Sequence, residues 1–348
     1  MDHVWYPAKG HVQHITNLEE DLSDIVNIAL GGGGKQFQKF LKDIILNYLG
    51  NDILNRLGDA SYINLSGEIS YSTDSFIIDP EFFRGGDIGK LAVYGTCNDL
   101  VVSGAKPEYL SLSFIVSEGY RYDKLERIVQ SIKEASIDVG VKIVAGDTKV
   151  IPRLEREQIL INTSGLGKVI KKLNDYNNIR VGDMVIFTSD IARHGISILL
   201  EREGVEHNIE SDCGNLWNIF SKLDYKYIKF ARDATRGGVA AVLNEISNMS
   251  GLGFEIDEKL INIDERVKYF CEFFGYDPLQ IANEGLAVIV VDSSGVDSIM
   301  GILKSLNMGK NASVVGTVIE DKKVMLNTYI GGRRYVEMPY GEILPRIC

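Results

Sequence analysis

The sequence has little cysteine, no long apolar run and no leader-like segment. Its 348 residues include four cysteines, and no two of them form a C-x-x-C pair, which argues against a zinc knuckle or a thioredoxin-type redox site. So few thiols in a chain of this length favour reduced cysteines in the cytoplasm. No apolar stretch approaches the roughly 20 residues of a membrane span, and the first residues lack the apolar block of a signal peptide. We therefore expect a cytoplasmic protein without a membrane segment.

Common phosphate-binding signatures and an excess of basic residues are also missing. The chain contains no G-x-x-x-x-G-K-[ST] and no G-x-G-x-x-G after a predicted strand, which excludes a P-loop and a dinucleotide-binding fingerprint. With 37 basic and 48 acidic residues, the formal net charge is −11. This charge argues against nucleic acid or an anionic membrane as the main partner. An acidic enzyme can still bind ATP when Mg²⁺ bridges its carboxylates to the phosphates.

Strand and helix patterns alternate along most of the chain, which predicts an α/β protein with two lobes. In the first half we predict strands at 70–78, 109–116, 141–144 and 158–166 and helices at 88–103 and 125–139. In the second half we predict strands at 184–188, 286–291 and 312–319 and helices at 195–203, 214–223 and 238–250. The polar connector at 171–183 marks the boundary. The predicted divisions are 1–45 (extension, glycine-rich loop and helix), 46–168 (first lobe), 169–335 (second lobe) and 336–348 (flexible tail).

A run of four glycines, residues 31–34, precedes a stretch with helical periodicity that begins at Lys35. Such a run can wrap phosphates with its backbone N–H groups, or it can serve as a flexible linker. Taken alone, the run favours the linker. The residues before it, 1–28, are polar and mixed, and we expect them to form a loosely attached extension.

Five polar clusters stand at predicted strand ends or helix starts, where α/β proteins bind ligands. They are residues 73–75, 98–99, 146–149, 232–238 and 282–285. Each cluster alone is explained by a cap or a turn. Together they bring four acids towards one cleft, Asp74, Asp99, Asp147 and Asp233. Such acids repel one another unless cations neutralise them, and oxygen ligands favour Mg²⁺, which would leave Lys149 and Arg236 to contact phosphate oxygens.

The motifs follow an order that is found in a known family. They read Y-S-T-D-S-F-I-I-D-P-E-F-F, G-G-D-I-G-K-L-A, G-D-T-K-V, R-D-A-T-R-G-G-V, A-N-E-G and, at the end, P-R-I-C. From about Leu30 to Cys348 the sequence resembles the HypE family of hydrogenase maturation proteins, and the ending P-R-I-C is the most specific part of the resemblance. The other motifs are shared with the wider aminoimidazole-ribonucleotide-synthetase-like (PurM-like) ATP-dependent superfamily.

The resemblance implies a fold and a set of site residues. Family members have two α/β lobes, the first pairs with its twin in a homodimer barrel, and ATP and Mg²⁺ bind between the lobes under the glycine-rich segment. The implied metal ligands are Asp74, Asp99, Asp147 and Asp233. The implied nucleotide and phosphate contacts are Gly32, Gly33, Gly34, Thr73, Asn98, Thr148 and Arg236. The implied catalytic residues are Cys348, Glu284, Lys149 and His194.

The resemblance also implies a reaction. In the family, the carbamoyltransferase HypF loads a carboxamide onto the sulfur of the last cysteine, here Cys348, and ATP-dependent dehydration converts it to a thiocyanate. The cyanide then passes to iron on a HypC–HypD scaffold for a nickel–iron hydrogenase. Phosphorylation makes the amide oxygen a good leaving group, so the protein needs a proton acceptor. Glu284 is our candidate, and Lys149 stays open as an alternative.

The tail has the reach that this reaction requires. An extended segment from Pro339 to Cys348 spans on the order of 30 Å, and Pro339 and Pro345 stiffen it. The chain departs from the family pattern at Leu30, where histidine is usual. It departs again at Arg193, where an acid usually precedes the histidine of G-D-H-G.

Two other interpretations stay open. The chain could be a selenophosphate or aminoimidazole-ribonucleotide synthetase of the same superfamily. The first would need a reactive cysteine near the glycine run, whereas the first cysteine here is Cys97. The second would have no use for Cys348. A non-catalytic protein that merely carries a modified cysteine is the third candidate, but such a carrier does not need the acidic clusters.

Overall fold

Two main β-sheets, one in each lobe, organise the protein. The structure is a computed structural model, and it describes residues 25–32, 34–341, 343–344 and 346–348. The mixed α/β architecture agrees with the alternation of patterns in the sequence. Among the described residues, every helix is too short or too polar to cross a membrane.

The first lobe carries a four-stranded sheet and two long helices. Its strands are β1 (Ile69–Phe76), β2 (Phe82–Phe83), β3 (Gly86–Asp87), β4 (Ala105–Ser117), β5 (Lys142–Ile151) and β6 (Ile159–Val169). Its helices are α1 (Lys35–Phe40), continued by a π-helical segment (Leu41–Leu46), α2 (Asn47–Leu49), α3 (Ile88–Val102) and α4 (Tyr122–Val139).

The order of the first sheet decides where its polar residues lie. The strands are arranged β1-β6-β4-β5, with β4 and β5 parallel and the other pairs antiparallel. The helices α3 and α4 bury one face of this sheet, which carries Leu110, Leu112 and Phe114. The opposite face is open in the described chain. The strands β1 and β5 form the two edges of this sheet. Along each of them, successive side chains point alternately to the helix-covered face and to the open face.

The prediction that a strand ends at 144, with the polar cluster 146–149 after it, is wrong, because these residues lie inside β5. Residues 111–117 of β4 pair with residues 145–151 of β5, so the strand continues well past the predicted end at 144. The side chain of Thr148 is buried, whereas Asp147 and Lys149 are exposed on the open face. A continuous strand explains this alternation, and it fixes the direction of each polar side chain more firmly than a loop would.

The second lobe carries a seven-stranded sheet in the order β13-β12-β9-β11-β7-β10-β8. Its strands are β7 (Met184–Phe187), β8 (Ile228–Asp233), β9 (Gly253–Asp257), β10 (Ala287–Val291), β11 (Ser313–Ile319), β12 (Val324–Asn327) and β13 (Arg333–Tyr335). Its helices are α5 (Arg193–Arg202), α6 (Trp217–Phe220), α7 (Gly238–Ser250), α8 (Glu265–Phe274) and α9 (Val296–Ser305).

Sequence periodicity located the long elements of both lobes. The predicted strands that correspond to β1, β4, β6, β7, β10 and β11 are confirmed, as are the predicted helices α3, α4, α5 and α7. The predicted helix at 214–223 is reduced to α6, and on its N-terminal side the backbone N–H groups of Leu216 and Trp217 donate to Asn98 Oδ1 and Asn215 Oδ1, each at 2.9 Å. The strand predicted to end at the polar cluster 232–238 corresponds to β8, whereas the short strands β2, β3, β9, β12 and β13 and the helices α8 and α9 were not predicted.

Residues 25–28 contradict the expectation of a loosely attached extension. Ile25 forms a β-bridge with Arg121, and the fully buried Val26 donates a 2.7 Å hydrogen bond to the carbonyl of Tyr120. Apolar burial of this kind anchors the segment to the first lobe. The rest of the expected extension, residues 1–24, lies outside the described part of the chain.

Asn98 on α3 ties the two lobes together. Its side-chain amide donates to the carbonyl oxygens of Gly214 (2.9 Å) and Glu284 (3.3 Å), while its Oδ1 accepts from the N–H of Leu216. The side chain is 2% exposed, so water cannot replace these bonds. The residue predicted to contact nucleotide therefore has its hydrogen-bonding groups occupied by the second lobe.

We predict that Asn98→Ala lowers the free energy of unfolding by about 2 kcal/mol, because it leaves the buried N–H of Leu216 and two carbonyls without their partner. Urea unfolding measures this change. The control is Asn218→Ala, since Asn218 is exposed and its contacts with Asp138 are 3.4 and 3.5 Å long; we expect less than about 0.5 kcal/mol there. Equal losses in the two variants would contradict the linking role of Asn98.

Candidate active site

Three of the predicted acids meet at a cavity between the lobes. Asp74 comes from β1, Asp99 from α3 and Asp233 from the end of β8, and all three line a cavity of about 50 Å³. Glu284, Arg236 and Cys348 also line it. With the tail in this position, the remaining space holds only about one or two water molecules.

The cavity is too small for water to hydrate all of these acids in their charged form. Asp99 accepts a 2.6 Å hydrogen bond from Ser72, and Asp74 accepts a 3.0 Å hydrogen bond from Thr96. Burial first, then the charges of Asp233 and Asp74, raises the pKa of Asp99 to about 8. Burial also raises the pKa of Asp233 to about 6. Burial and mutual repulsion therefore favour a protonated carboxyl group in this cavity at neutral pH when no cation is bound.

Glu284 is the most deeply placed acid of the group. Its side chain is 4% exposed, and its Oε1 has no hydrogen-bond partner among the described residues. Burial, followed by the charges of Asp233 and Asp212, raises its pKa well above the ordinary value. A buried carboxyl oxygen without a partner is unfavourable, so this position is suited to exchange a proton with a group that enters the cavity.

Asp212, which the sequence motifs do not identify, binds the backbone at Glu284. Its carboxylate is 8% exposed and accepts the N–H groups of Glu284 and Gly285, each at 3.1 Å. Gly285 is required here because a Cβ at that position would lie 1.9 Å from the carbonyl oxygen of Asp212. The A-N-E-G motif thus owes its glycine to close backbone packing. Asp212 was missed because its partners are backbone atoms, which no motif records.

The end of the tail is docked against the first lobe. Ile347 forms an antiparallel bridge with Ile78, and the carbonyls of Arg346 and Cys348 accept from the N–H groups of Asp79 and Ile77 at 3.3 and 3.4 Å. The side chain of Ile347 is 4% exposed. This short strand pairing carries Cys348 to the acid-lined cavity, where the sequence alone could not place it.

His194 lies under the docked tail. The ring is fully buried, with Nδ1 2.8 Å from Ser211 Oγ and Nε2 2.5 Å from the carbonyl oxygen of Ile347. Since Ser211 Oγ accepts the N–H of Cys213, its own hydrogen is available to Nδ1, and Nε2 then donates to Ile347. Burial lowers the pKa of His194, in keeping with this neutral tautomer. The residue predicted as catalytic is thus bonded to the tail backbone.

Asp147, Thr148 and Lys149 lie apart from the cavity in the same chain. They belong to β5, which is separated from β1 by β6 and β4, so the two edges are roughly 14 Å apart at ordinary strand spacing. Asp147 and Lys149 form an exposed ion pair of 3.2 Å. One chain therefore does not gather all the acids that the sequence predicted to converge.

The glycine-rich segment lies beside β5. A Cβ on Gly31 would approach the N–H of Val150 to 3.1 Å, whereas Gly32 and Gly34 have open space around them. The following helices enclose, together with β5, a cavity of about 490 Å³ that Asp147 and Thr148 help to line. Gly33 lies outside the described residues.

Two other predicted contacts have different environments. Thr73 Oγ1 lies on the open face of the sheet, 3.0 Å from the carbonyl of Thr163 and 2.8 Å from Ser164 Oγ. Arg236 is exposed at the rim of the acid-lined cavity, and it makes no hydrogen bond or ion pair with the described residues. A guanidinium in this position can bind an incoming anion without first breaking an ion pair.

Known proteins match both lobes. Residues 57–169 match the N-terminal domain of AIR synthase related proteins, and residues 180–327 match the C-terminal domain. The carbamoyl dehydratase HypE of Escherichia coli strain K12 is 37% identical over 333 residues, which are 93% of this chain and 99% of that protein.

Two solved structures have the same architecture. A crystal structure of the hydrogenase maturation protein HypE in complex with ATP is 37% identical with a TM-score of 0.89, over 92% of this chain and 99% of that one. A crystal structure of a HypE–HypF complex contains a chain that is 42% identical with a TM-score of 0.76, over 86% of this chain and 99% of that one. The chain therefore belongs to the HypE carbamoyl dehydratases, a family of AIR synthase related proteins.

Proposed function

We propose that the protein uses ATP to dehydrate a carboxamide on the thiol of Cys348 to a thiocyanate, the source of the cyanide ligand for a nickel–iron hydrogenase. One observation carries this proposal. Cys348 lines the acidic cavity together with Glu284, a buried carboxyl group whose Oε1 has no partner among the described residues. A group on the Cys348 sulfur is thus held where phosphate-binding and proton-accepting side chains meet.

The reaction has two chemical steps. In the first, the amide oxygen attacks the γ-phosphorus of ATP, the bond to ADP breaks, and one N–H proton leaves the nitrogen. In the second, the carbon–oxygen bond breaks, phosphate leaves, the second N–H proton is lost, and the carbon–nitrogen triple bond forms. Phosphorylation supplies the leaving group, so the protein has to orient the amide and accept protons.

Glu284 is the proton acceptor that we propose. Its burial makes it a stronger base than an exposed carboxylate, provided that it is ionised when the substrate is bound. Cations and phosphate contacts that neutralise Asp233 and its neighbours would favour that ionised form. Lys149 lies on β5 of the same chain, at the far edge of the sheet, so we assign it to phosphate binding at the site of a second protomer.

ATP, in our proposal, binds between β5 and the helices that follow the glycine-rich segment. The cavity there, of about 490 Å³, is in the range of small-molecule sites, and it is lined by apolar side chains with Thr148 and Asp147 at one end. Gly31 packs against Val150 of β5, and we propose that backbone N–H groups of the glycine run contact the phosphates. A relative with the same architecture, HypE, has been crystallised in complex with ATP.

Mg²⁺ is the cation that we propose for the acid-lined cavity. No three His, Cys, Asp or Glu side chains of the described residues surround a common metal position. Mg²⁺ does not require three, since it is commonly bound by one or two carboxylates together with water and substrate phosphates. The oxygen donors of Asp74, Asp99 and Asp233 suit it, and the raised pKa of Asp99 marks a cluster that lacks positive charge. When bound, the ion would offset charge on the transferring phosphate.

A homodimer would reunite the divided site. The open face of the first sheet carries Ile69, Tyr71 and Ile115, which are 44%, 63% and 39% exposed, and β1 and β5 are both edge strands. Pairing β5 of one protomer with β1 of its partner would close an eight-stranded barrel and cover both edges. We propose that this seam brings Asp147 and Lys149 of one protomer to the acid-lined cavity of the other.

We also propose the partners and the compartment. HypF would load the carboxamide onto Cys348, which is supported by the similarity to a chain of the HypE–HypF complex. A HypC–HypD scaffold would receive the cyano group, as family membership suggests. The cytoplasm is the compartment that we propose, because Cys97, Cys213 and Cys271 form no disulfide and thiols stay reduced there.

The function is tested by the mass of the peptide that carries Cys348, after incubation with HypF, carbamoyl phosphate and ATP. We expect the wild-type peptide to gain a carboxamide and then to lose one water. Glu284→Gln should bind ATP but retain the carboxamide, with dehydration slowed at least roughly 100-fold because no carboxylate accepts the proton. Cys348→Ala, the matched control, should stay unmodified. Modification of Cys348→Ala would exclude this thiol as the carrier, and normal dehydration by Glu284→Gln would remove Glu284 from the mechanism.

The shared site is tested with mixed dimers of two inactive variants, Asp99→Asn and Asp147→Asn, carrying different affinity tags. If each site takes Asp99 from one protomer and Asp147 from the other, every mixed dimer has one intact site and should retain roughly half of the wild-type dehydration rate. If both acids act within one chain, mixed dimers should be as inactive as the parents. Inactive mixed dimers would therefore contradict the shared site.

Removing one buried acid should stabilise the protein in a pH-dependent way when divalent cations are absent. The pKa of Asp99 rises from 3.8 in the unfolded chain to about 8 in the fold, so the folded state binds the extra proton and loses stability as the pH rises between these values. We expect Asp99→Asn to raise the free energy of unfolding by about 1–2 kcal/mol at pH 9 and by less than about 0.5 kcal/mol at pH 5. Urea unfolding with a chelator measures both.

Asp123→Asn is the control for this measurement. Its exposed carboxylate pairs with Arg121 at 2.6 Å, and hydrogen bonding to that guanidinium lowers its pKa to about 2. We expect this variant to gain no stability at either pH. A gain for Asp99→Asn that is equal at pH 5 and pH 9 would mean that charge repulsion in the cavity is not the cause.

A further inference from the structure

We propose that Arg202 is a positioning residue that holds the tail, and with it Cys348, in the cavity. Arg202 ends α5 in the second lobe. Its Nη2 donates to the carbonyl of Arg346 in the tail at 2.8 Å, and its Nε and Nη2 donate to the carbonyl of Asp79 in the first lobe at 3.0 and 2.9 Å. One guanidinium thus joins the tail to both lobes. The inference rests on the proposed function, in which Cys348 must return to this cavity to react.

The tail is held through three successive carbonyl groups. Carbonyls alternate in direction along an extended segment, so those of Arg346 and Cys348 face the backbone of residues 77–79, while that of Ile347 faces His194. Arg202 and His194 therefore approach the tail at neighbouring peptide groups. These hydrogen bonds involve backbone atoms of the tail and do not involve the Cys348 side chain.

Hydrogen-bond lengths identify Arg202 and His194 as the stronger contacts. The two backbone N–H bonds to the tail measure 3.3 and 3.4 Å, beyond the usual range for strong N–H···O bonds. The contacts from Arg202 and His194 measure 2.8 and 2.5 Å. A guanidinium donor also gives a charge-assisted bond, which is about twice as strong as a neutral one. Without Arg202, the tail would depend mainly on His194 and on burial of Leu344 and Ile347.

Binding of the tail through its backbone carbonyls suits a reaction in which the group on the thiol changes. The thiol has to dock bearing a carboxamide and leave bearing a thiocyanate, and these groups differ in shape and in hydrogen-bonding capacity. Because Arg202 and His194 contact the described part of the tail through the backbone carbonyls of residues 346 and 347, the same docking geometry accommodates both forms. The selectivity for the reacting group can then lie in the cavity itself.

Alkylation of Cys348 by iodoacetamide, followed by peptide mass spectrometry on the whole protein without ATP or HypF, measures docking directly. We expect Arg202→Gln to increase the alkylation rate of Cys348 roughly tenfold, the effect of losing a hydrogen bond to a charged donor. Arg202→Lys, which keeps the charge but cannot bridge two carbonyls in the same way, should give a smaller increase. Arg266→Gln is the matched control, since Arg266 also binds a backbone carbonyl, that of Asn208, and should match the wild type.

Cys213 serves as an internal reporter of general loosening, because it is half-buried in the second lobe. The proposed role of Arg202 requires faster alkylation of Cys348 and an unchanged alkylation rate of Cys213. An unchanged Cys348 rate in both Arg202 variants, or equal acceleration at the two cysteines, would overturn it. Since this assay needs no dehydration, its outcome does not depend on the proposed activity. Dehydration of preloaded protein is the second readout, and we expect Arg202→Gln to lower its rate while ATP affinity stays unchanged.

Discussion

Repulsion among buried carboxyl groups is the constraint on which the site depends. Asp74, Asp99, Asp233 and Glu284 surround a cavity too small to hydrate them, and hydroxyl donors offset only part of the cost. The protein tolerates the cluster because burial and repulsion raise the pKa of Asp99, which favours its neutral form, and because hydrogen bonds between the backbone of Glu284 and the side chains of Asp212 and Asn98 hold Glu284 in place. A site arranged in this way would be stabilised most by a ligand that brings positive charge together with phosphate.

The same constraint explains why the reacting group arrives on a tail. Both the carboxamide and the thiocyanate are neutral, so the group on the Cys348 sulfur adds no charge of its own to the acidic cavity. The phosphate that activates the amide is anionic, and it requires cations and donors from elsewhere. Arg236, which has no partner among the described residues, stands at the rim where such an anion would enter. The neutral group thus reaches the cavity on Cys348, whereas the anionic phosphate would enter at Arg236.

The sequence predicted those features that depend on neighbouring residues and missed those that depend on residues far apart in the chain. Apolar periodicity is local, and it located β1, α3 and α4 within a few residues. The order of strands is not local, so the pattern could not reveal that Asp147 lies at the opposite edge of the sheet from Asp74. Side chains that bind backbone atoms, such as Asp212 and Arg202, leave no motif. Asn98 was predicted to contact nucleotide, but its hydrogen-bond partners lie in the other lobe.

The division of the polar residues between two sheet edges has a physical advantage. If Asp147 and Lys149 joined the other acids within one chain, the cavity would hold a further buried carboxylate before any ligand arrived, and the folded monomer would bear that cost. Kept on an exposed strand, their ion pair remains solvated. Bringing the two edges together in a dimer would complete the site only where a second chain also contributes a lysine. Charge balance and assembly would then be achieved in one step, which links the open sheet face to the chemistry at Cys348.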